Sequence, residues 1–306
     1  MASTLVAGRD RTLNVHMVHV PIDAPFTWLR NGWLDMRRHW GASLGYGALI
    51  VALGWTLLVF CGTHPYFIAA AISGFLLVGP LMSAGLCEMS RRYSLGQPAS
   101  FDDSLEGFAQ HLPALVELGV ILAICAAGWF LISALLLANV FHIGAPTIGE
   151  TLYQGFLDSA NRPQVLAYVL VGGVLATAVF AVTVIAIPLI VDRNATAAQA
   201  MRASVSATMH NKSAMLLWSA LILALTILGY APLLAGMLII APLLGHATWH
   251  AYLGVTGQPQ TVSRPDHLSA RATVQLSASM LEEIANPNDA RESFLRKIRG
   301  FTVWHR

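Results

Sequence analysis

Four stretches of this chain contain no Asp, Glu, Lys or Arg: residues 39–87, 118–149, 163–191 and 213–263, which are 49, 32, 29 and 51 residues long. A helix needs about 20 apolar residues, at about 1.5 Å each, to cross a bilayer core. Windows of this length have few uses outside a membrane. Over the whole chain of 306 residues only 11% are charged, where a soluble domain carries about 25%. Hydrophobic residues reach 56% and the mean hydropathy is +0.60. There is too little charge to coat a soluble surface, which excludes most cytosolic enzymes and nucleic-acid binders. The net charge of +2 is too small to point to a polyanion. The partners expected are the lipid bilayer and other membrane proteins or a second copy, with no nucleic acid.

The middle two windows each hold one span. The first and last each have room for two, with Gly and Pro turns at Cys61-Gly62-Thr63-His64-Pro65 and Gly229-Tyr230-Ala231-Pro232. The expectation is an all-α polytopic membrane helix bundle of six transmembrane helices in three hairpins. They cover roughly 43–61, 67–88, 113–140, 164–191, 213–229 and 233–253. The last two have the least room, and a re-entrant bend there would leave five spans. With six spans, 17 of the 18 Lys and Arg residues fall on one face and only Arg162 on the other. The positive-inside bias then puts both termini in the cytoplasm. Trp33, Trp40, Tyr66, Tyr230, Trp249 and Tyr252 fall near the interfaces, where aromatic belts form. No apolar run opens the chain, so no cleavable signal peptide is expected.

Each hairpin is preceded by a short amphipathic segment. Phe26, Leu29, Trp33, Met36 and Trp40 share one helical face; Phe101, Leu105, Phe108 and Leu112 share another; Met201, Val205 and Thr208 with Met209 share a third. Such helices lie in the interface or close a bundle from below. The second helix of each hairpin carries a Pro-Leu pair, at Pro80-Leu81, Pro188-Leu189 and Pro242-Leu243. The pattern suggests a threefold repeat with a proline kink in each unit. Small residues at Gly41, Gly45, Ala48 and Ala52, and at Gly172, Gly173 and Ala176, mark faces where helices approach closely. The domain reading is an N-terminal segment 1–20, a membrane domain 21–253 and a polar tail 254–306. In the tail, residues 276–284 and a stretch opened by Asn286-Pro287 and stopped by Gly300 read as amphipathic helices.

Ionisable groups at membrane depth are the candidates for chemistry. Glu117 lies just inside the third span. Asp192 and Arg193 end the fourth. Glu88, Arg91 and Arg92 end the second, where the arginines could meet lipid headgroups. His246 and His250 stand at i and i+4 on the sixth, one turn apart on one face. That spacing could supply two ligands to a metal or haem, with His64, His142 and His210 as further donors, although a hydrogen-bonded pair explains it more simply. No cofactor is expected, and a haem or metal is held as an alternative. Cys61, Cys87 and Cys125 form no Cys-x-x-Cys pair and read as buried apolar residues. There is no phosphate loop, no His-Glu-x-x-His and no Gly-x-Ser-x-Gly. Asn194-Ala195-Thr196 and Asn211-Lys212-Ser213 fit the glycosylation pattern but fall on the cytoplasmic side.

Three stretches resemble the DUF2189 family of bacterial integral membrane proteins. They are residues 74–81 with 85–92 (Gly85-Leu86-Cys87-Glu88-Met89-Ser90-Arg91-Arg92), Pro188 to Arg193, and Pro242 to Tyr252. Pro21-Ile22-Asp23-Ala24-Pro25 with Trp28-Leu29 also fits. The resemblance implies a bacterial inner-membrane protein and carries no reaction with it. The leading expectation is a non-catalytic accessory, scaffold or assembly factor for a membrane complex such as a respiratory one. The alternatives are a transporter or channel for a small solute or lipid, and a haem- or metal-binding membrane protein.

Overall fold

The computed structural model describes residues 15–61, 67–141 and 162–259. Among them every element is helical. In chain order they are α1 (Ala24–Arg38), α2 (Trp40–Cys61), α3 (Phe67–Ser94), α4 (Phe101–Gln110), α5 (Leu112–Phe141), α6 (Arg162–Thr183), α7 (Ala186–Arg193), α8 (Ala197–His210), α9 (Lys212–Tyr230) and α10 (Met237–Val255). Five stretches are long and apolar enough to cross a membrane: Trp40–Val59, Leu112–Ser133, Leu166–Arg193, Lys212–Tyr230 and Met237–Val255. The chain is therefore a multi-pass α-helical protein with at least these candidate spans. The tail helices, the turn at residues 62–66 and the histidines His64 and His142 lie outside the described residues.

The three short helices expected before the hairpins are present as α1, α4 and α8. Each ends at one non-helical residue, His39, His111 or Asn211, and the next long helix begins at the following position. Local chemistry explains their starts. Pro25 opens α1, while Ser100 with Asp103 and Thr196 with Gln199 form reciprocal capping boxes on α4 and α8. Two of these helices show which residues pack. On α8 the packed side is Ala197, Ala200, Ser204 and Ala207, whereas Val205 and Met209 are exposed. On α1 it is Trp28, Gly32, Asp35 and Met36, with Phe26 and Trp33 outward, as is Trp40 at the start of α2. The packed side of α8 is thus built of small and polar residues, while α1 adds the large Trp28 and Met36 to its buried Gly32 and Asp35. Small packed faces like that of α8 are what a lipid environment rewards, because close packing rather than water exclusion drives association there.

The long helices differ from expectation in three places. α3 runs on to Ser94, since Arg91 and Arg92 reach back one turn to Glu88 and carry the helix past residue 88. The fourth span is broken between α6 and α7. Pro188 cannot donate to the carbonyl of Val184, and it sits in the first turn of α7, where no donor is needed. Pro80 and Pro242 instead lie inside helices that continue past them. α10 starts at Met237 rather than 233, because Leu233 and Leu234 take left-handed backbone at φ 50° and 70° and cannot join a right-handed helix.

α10 lies at the centre of the packing, against α1, α2, α3 and α9. α3 packs on α4, α5 and α7, and α8 packs on α6 and α7. The contacts are backbone-close. A Cβ on Gly32 would fall 2.6 Å from the Ala247 nitrogen, and one on Gly47 would fall 2.1 Å from the Leu238 oxygen. Trp28 and Trp218 meet edge to face in the core, with ring centroids 5.8 Å apart.

Candidate functional site

At one end of the bundle, five polar side chains from four helices meet. Asp35 comes from the last turn of α1, Ser43 from the first turn of α2, Ser90 from near the end of α3, and His246 and His250 from α10. All five are buried. The packing just described puts them together, since α1, α2 and α3 all lean on α10.

The hydrogen bonds have a direction. The Ser90 hydroxyl donates to Asp35 Oδ2 at 2.8 Å. It holds one proton, so at 2.8 Å from His246 Nδ1 it can only accept. His246 therefore carries a proton on Nδ1, and in its neutral form Nε2 accepts from the Ser43 hydroxyl at 2.9 Å. His250 Nε2 donates to the same Asp35 oxygen at 2.9 Å. The chain thus runs from Ser43 through His246 and Ser90 to the Asp35 carboxylate, with His250 as a second donor. Arg38 stands 3.8 Å from the other Asp35 oxygen and is partly exposed. Burial raises the Asp35 pKa, but the His250 hydrogen bond, the charges of His250 and His246 and the Ser90 hydroxyl together outweigh it and hold it below the usual aspartate value. Beside the cluster, burial lowers the pKa of His39, against the pull of Asp35 and with a further push from Arg38. His39 Nε2 and His250 Nδ1 are buried with no hydrogen-bond partner among the described residues.

Two further groups sit at helix ends. Glu88 is 1% exposed and accepts from Arg91 at 2.7 and 2.9 Å and from Arg92 at 2.8 Å. Arg92 also reaches Asp103 and Glu106 on α4. Asp192 accepts from the Tyr252 hydroxyl at 2.5 Å, while Arg193 and Gln258 donate to that hydroxyl. Each group joins two helices.

Of the residues singled out in the sequence, His246 and His250 belong to the buried cluster. Arg91 and Arg92 are held by Glu88, and Asp192 and Arg193 by Tyr252. Glu117 lies on the exposed side of α5. As arranged, neither nitrogen of His246 is free for a metal, and among the described residues no three His, Cys, Asp or Glu side chains gather as a metal site. Asp35, Ser43 and Ser90 were missed. The available signal was Asp35 itself, an acid seven residues after Trp28 and three after Gly32 on a helix otherwise read for its apolar side.

Together the helices and the end-clustered ionisable groups define a polytopic α-helical integral membrane protein. Within that class, residues 67–192 match the family described as predicted integral membrane protein (DUF2189). The resemblance thus holds from α3 into α7, which includes Glu88, Ser90, Arg91, Arg92 and Asp192. The similar stretches around Pro21 and Pro242 lie outside the matched region. No curated protein and no solved structure matches the chain.

Proposed function

We propose that the protein is a non-catalytic scaffold or assembly factor for a bacterial inner-membrane complex, with six spans in three hairpins and both termini in the cytoplasm. The observation that carries this reading is the imidazole of His246. It bonds Ser43 at the start of α2 and Ser90 near the end of α3. Both ends of the first hairpin therefore lie at one level, which supports α3 as a full return span. At 28 residues and 1.5 Å each, α3 reaches about 42 Å, beyond the ~30 Å core. The basic residues gather at that same end in this topology, which supports its placement in the cytoplasm. The buried polar groups serve to fasten helices to one another. Ser43 and His246 have no exposed surface through which a substrate could reach them. A rigid frame with an outer coat of large apolar side chains suits a protein that works by contact.

Extraction in mild detergent from cells expressing the chain at native level, followed by mass-spectrometric identification of what travels with it, tests the proposal. A defined set of membrane proteins is expected. A monomer carrying no protein would overturn the scaffold reading.

A further inference from the structure

A cavity of about 510 Å³ opens beside the start of α9. It is formed by two segments about 190 residues apart in sequence. One is 19–22, ahead of α1; the other is 209–214, across the α8–α9 corner. His19, His210, Lys212 and Ser213 supply its polar lining, and Ile22 and Met209 its apolar part. Among the described residues, no acidic side chain lines it.

The backbone that carries His19 is fixed on both sides. The Val20 amide donates to Asn211 Oδ1 at 2.9 Å, and Asn211 Nδ2 donates to the Val18 carbonyl at 3.1 Å. The Val18 amide donates to the Val255 carbonyl at 2.9 Å. Asn211, the corner residue, thus clamps one basic group against two others. The rings of His19 and His210 meet edge to face at 5.7 Å.

A second observation shows what such a cavity would hold. Lys212, Leu216, Ala220, Leu223 and Ile227 follow one another by four, four, three and four residues, so they form a single stripe down α9. Leu216 is 72% exposed, Leu223 62% and Ile227 60%. A polar, basic pocket therefore sits at the head of an open apolar track on a membrane-spanning helix. That is the shape of a phospholipid, with headgroup above and acyl chain below.

We propose that this cavity binds the headgroup of an anionic phospholipid, with its phosphate met by Lys212, His210, His19 and Ser213 and its acyl chain along Leu216, Leu223 and Ile227. Free phosphate shares the headgroup chemistry but makes no use of the track. The site does not depend on the scaffold reading, and its test is separate from the co-purification above.

The test is native mass spectrometry of the full chain in mild detergent, with phosphatidylglycerol and phosphatidylcholine offered in equal amounts. Wild type is expected to retain phosphatidylglycerol preferentially. Lys212→Gln is expected to cut that preference by about fivefold, the worth of roughly 1 kcal/mol per basic side chain near an anionic lipid. Adding His210→Ala is expected to bring it close to parity. Lys212→Arg keeps the preference. Arg202→Gln, which removes the same charge from α8 outside the cavity, also keeps it. These side chains are exposed, so the variants are expected to melt as wild type does. Equal retention of the two lipids by wild type would overturn the proposal, as would an unchanged preference in Lys212→Gln with His210→Ala, or an equal loss in Arg202→Gln. Displacement of the bound lipid by millimolar inorganic phosphate would also overturn it, by showing a phosphate site.

Discussion

Asp35 is the residue on which the end of the bundle turns. Its carboxylate is 5% exposed and takes two hydrogen bonds on one oxygen, from Ser90 on α3 and His250 on α10. Asp35→Ala leaves both donors buried and unpaired. Hydrogen bonds to a charged group are worth about 1.5–3 kcal/mol each, so a loss of about 3 kcal/mol is a low expectation. For a chain of this size that is a fall of roughly 6–12 °C in melting temperature. Asp35→Asn keeps an acceptor and is expected to lose about half as much. Thermal unfolding of the purified protein in detergent distinguishes the two variants, and equal melting of wild type and Asp35→Ala would mean that the cluster holds nothing together. The same carboxylate gives stability a pH dependence. Its folded pKa lies below the ordinary aspartate value of 3.8. A depressed carboxylate contributes fully above the unfolded value and loses its contribution as pH falls through the folded one. Wild type is therefore expected to lose stability below about pH 4 more steeply than Asp35→Asn, which has no carboxylate to protonate.

Among the helices, close approach is decided by which glycine stripe faces inward. α2 offers two. Gly41 and Gly45, with Ala48 and Ala52, form the stripe that sequence spacing brings forward. Ser43 and Gly47 form another, displaced around the helix. The structure buries the second. A Cβ on Gly41 meets nothing within 4 Å, while one on Gly47 would sit 2.1 Å from the backbone oxygen of Leu238 on α10. Gly41→Ala is expected to be neutral or to gain about 0.5–1 kcal/mol, because helical glycine is entropically costly. Gly47→Ala has to push two backbones apart and is expected to cost about 1–3 kcal/mol or more. Melting curves of the two variants check this, and the reverse order would put α10 on the other face of α2. The case also shows how far the sequence could be read. Apolar run length and charge position revealed the long helices, because lipid leaves the chain few other choices, and the recurrence of apolar residues on one face revealed the three short ones before them. Spacing could not choose between two small-residue stripes on one helix, since both satisfy the same rule. It also put Met36 on one face with Phe26 and Trp33, whereas the structure buries Met36 beside Trp28 and leaves Phe26 and Trp33 exposed. The buried cluster was half legible: His246 and His250 stand out as a local pair, but Asp35, Ser43 and Ser90 lie far off in sequence and join them only through the fold.

For the molecule as a whole, the question is whether α3 returns across the membrane. Among the described residues five stretches qualify as spans on apolarity and length, and they leave α3, uncharged from Phe67 to Cys87, to be placed by its contacts. Ser90 near its end bonds Asp35, and Ser43 shares His246 with Ser90. A chain that left through α2 and did not return could not place Ser43 and Ser90 on one imidazole. Six spans then put Asp23 and Gln97 on the same side as Ala198, with Arg162 opposite. Five spans without α3 would leave Gln97 across the membrane from Asp23. Single cysteines at these positions, labelled with an impermeant maleimide over the background of the native thiols, separate the two arrangements. Asp23→Cys, Gln97→Cys and Ala198→Cys are expected to react only in inverted vesicles, and Arg162→Cys only in right-side-out ones. Reaction of Asp23→Cys and Gln97→Cys from opposite sides would remove the sixth span. It would also conflict with the Asp35–Ser90 hydrogen bond, because α1 follows directly on Asp23 and cannot lie at both faces. Reaction of all three in right-side-out vesicles would keep the six spans and invert the protein, placing the basic end and the proposed headgroup cavity on the outer leaflet.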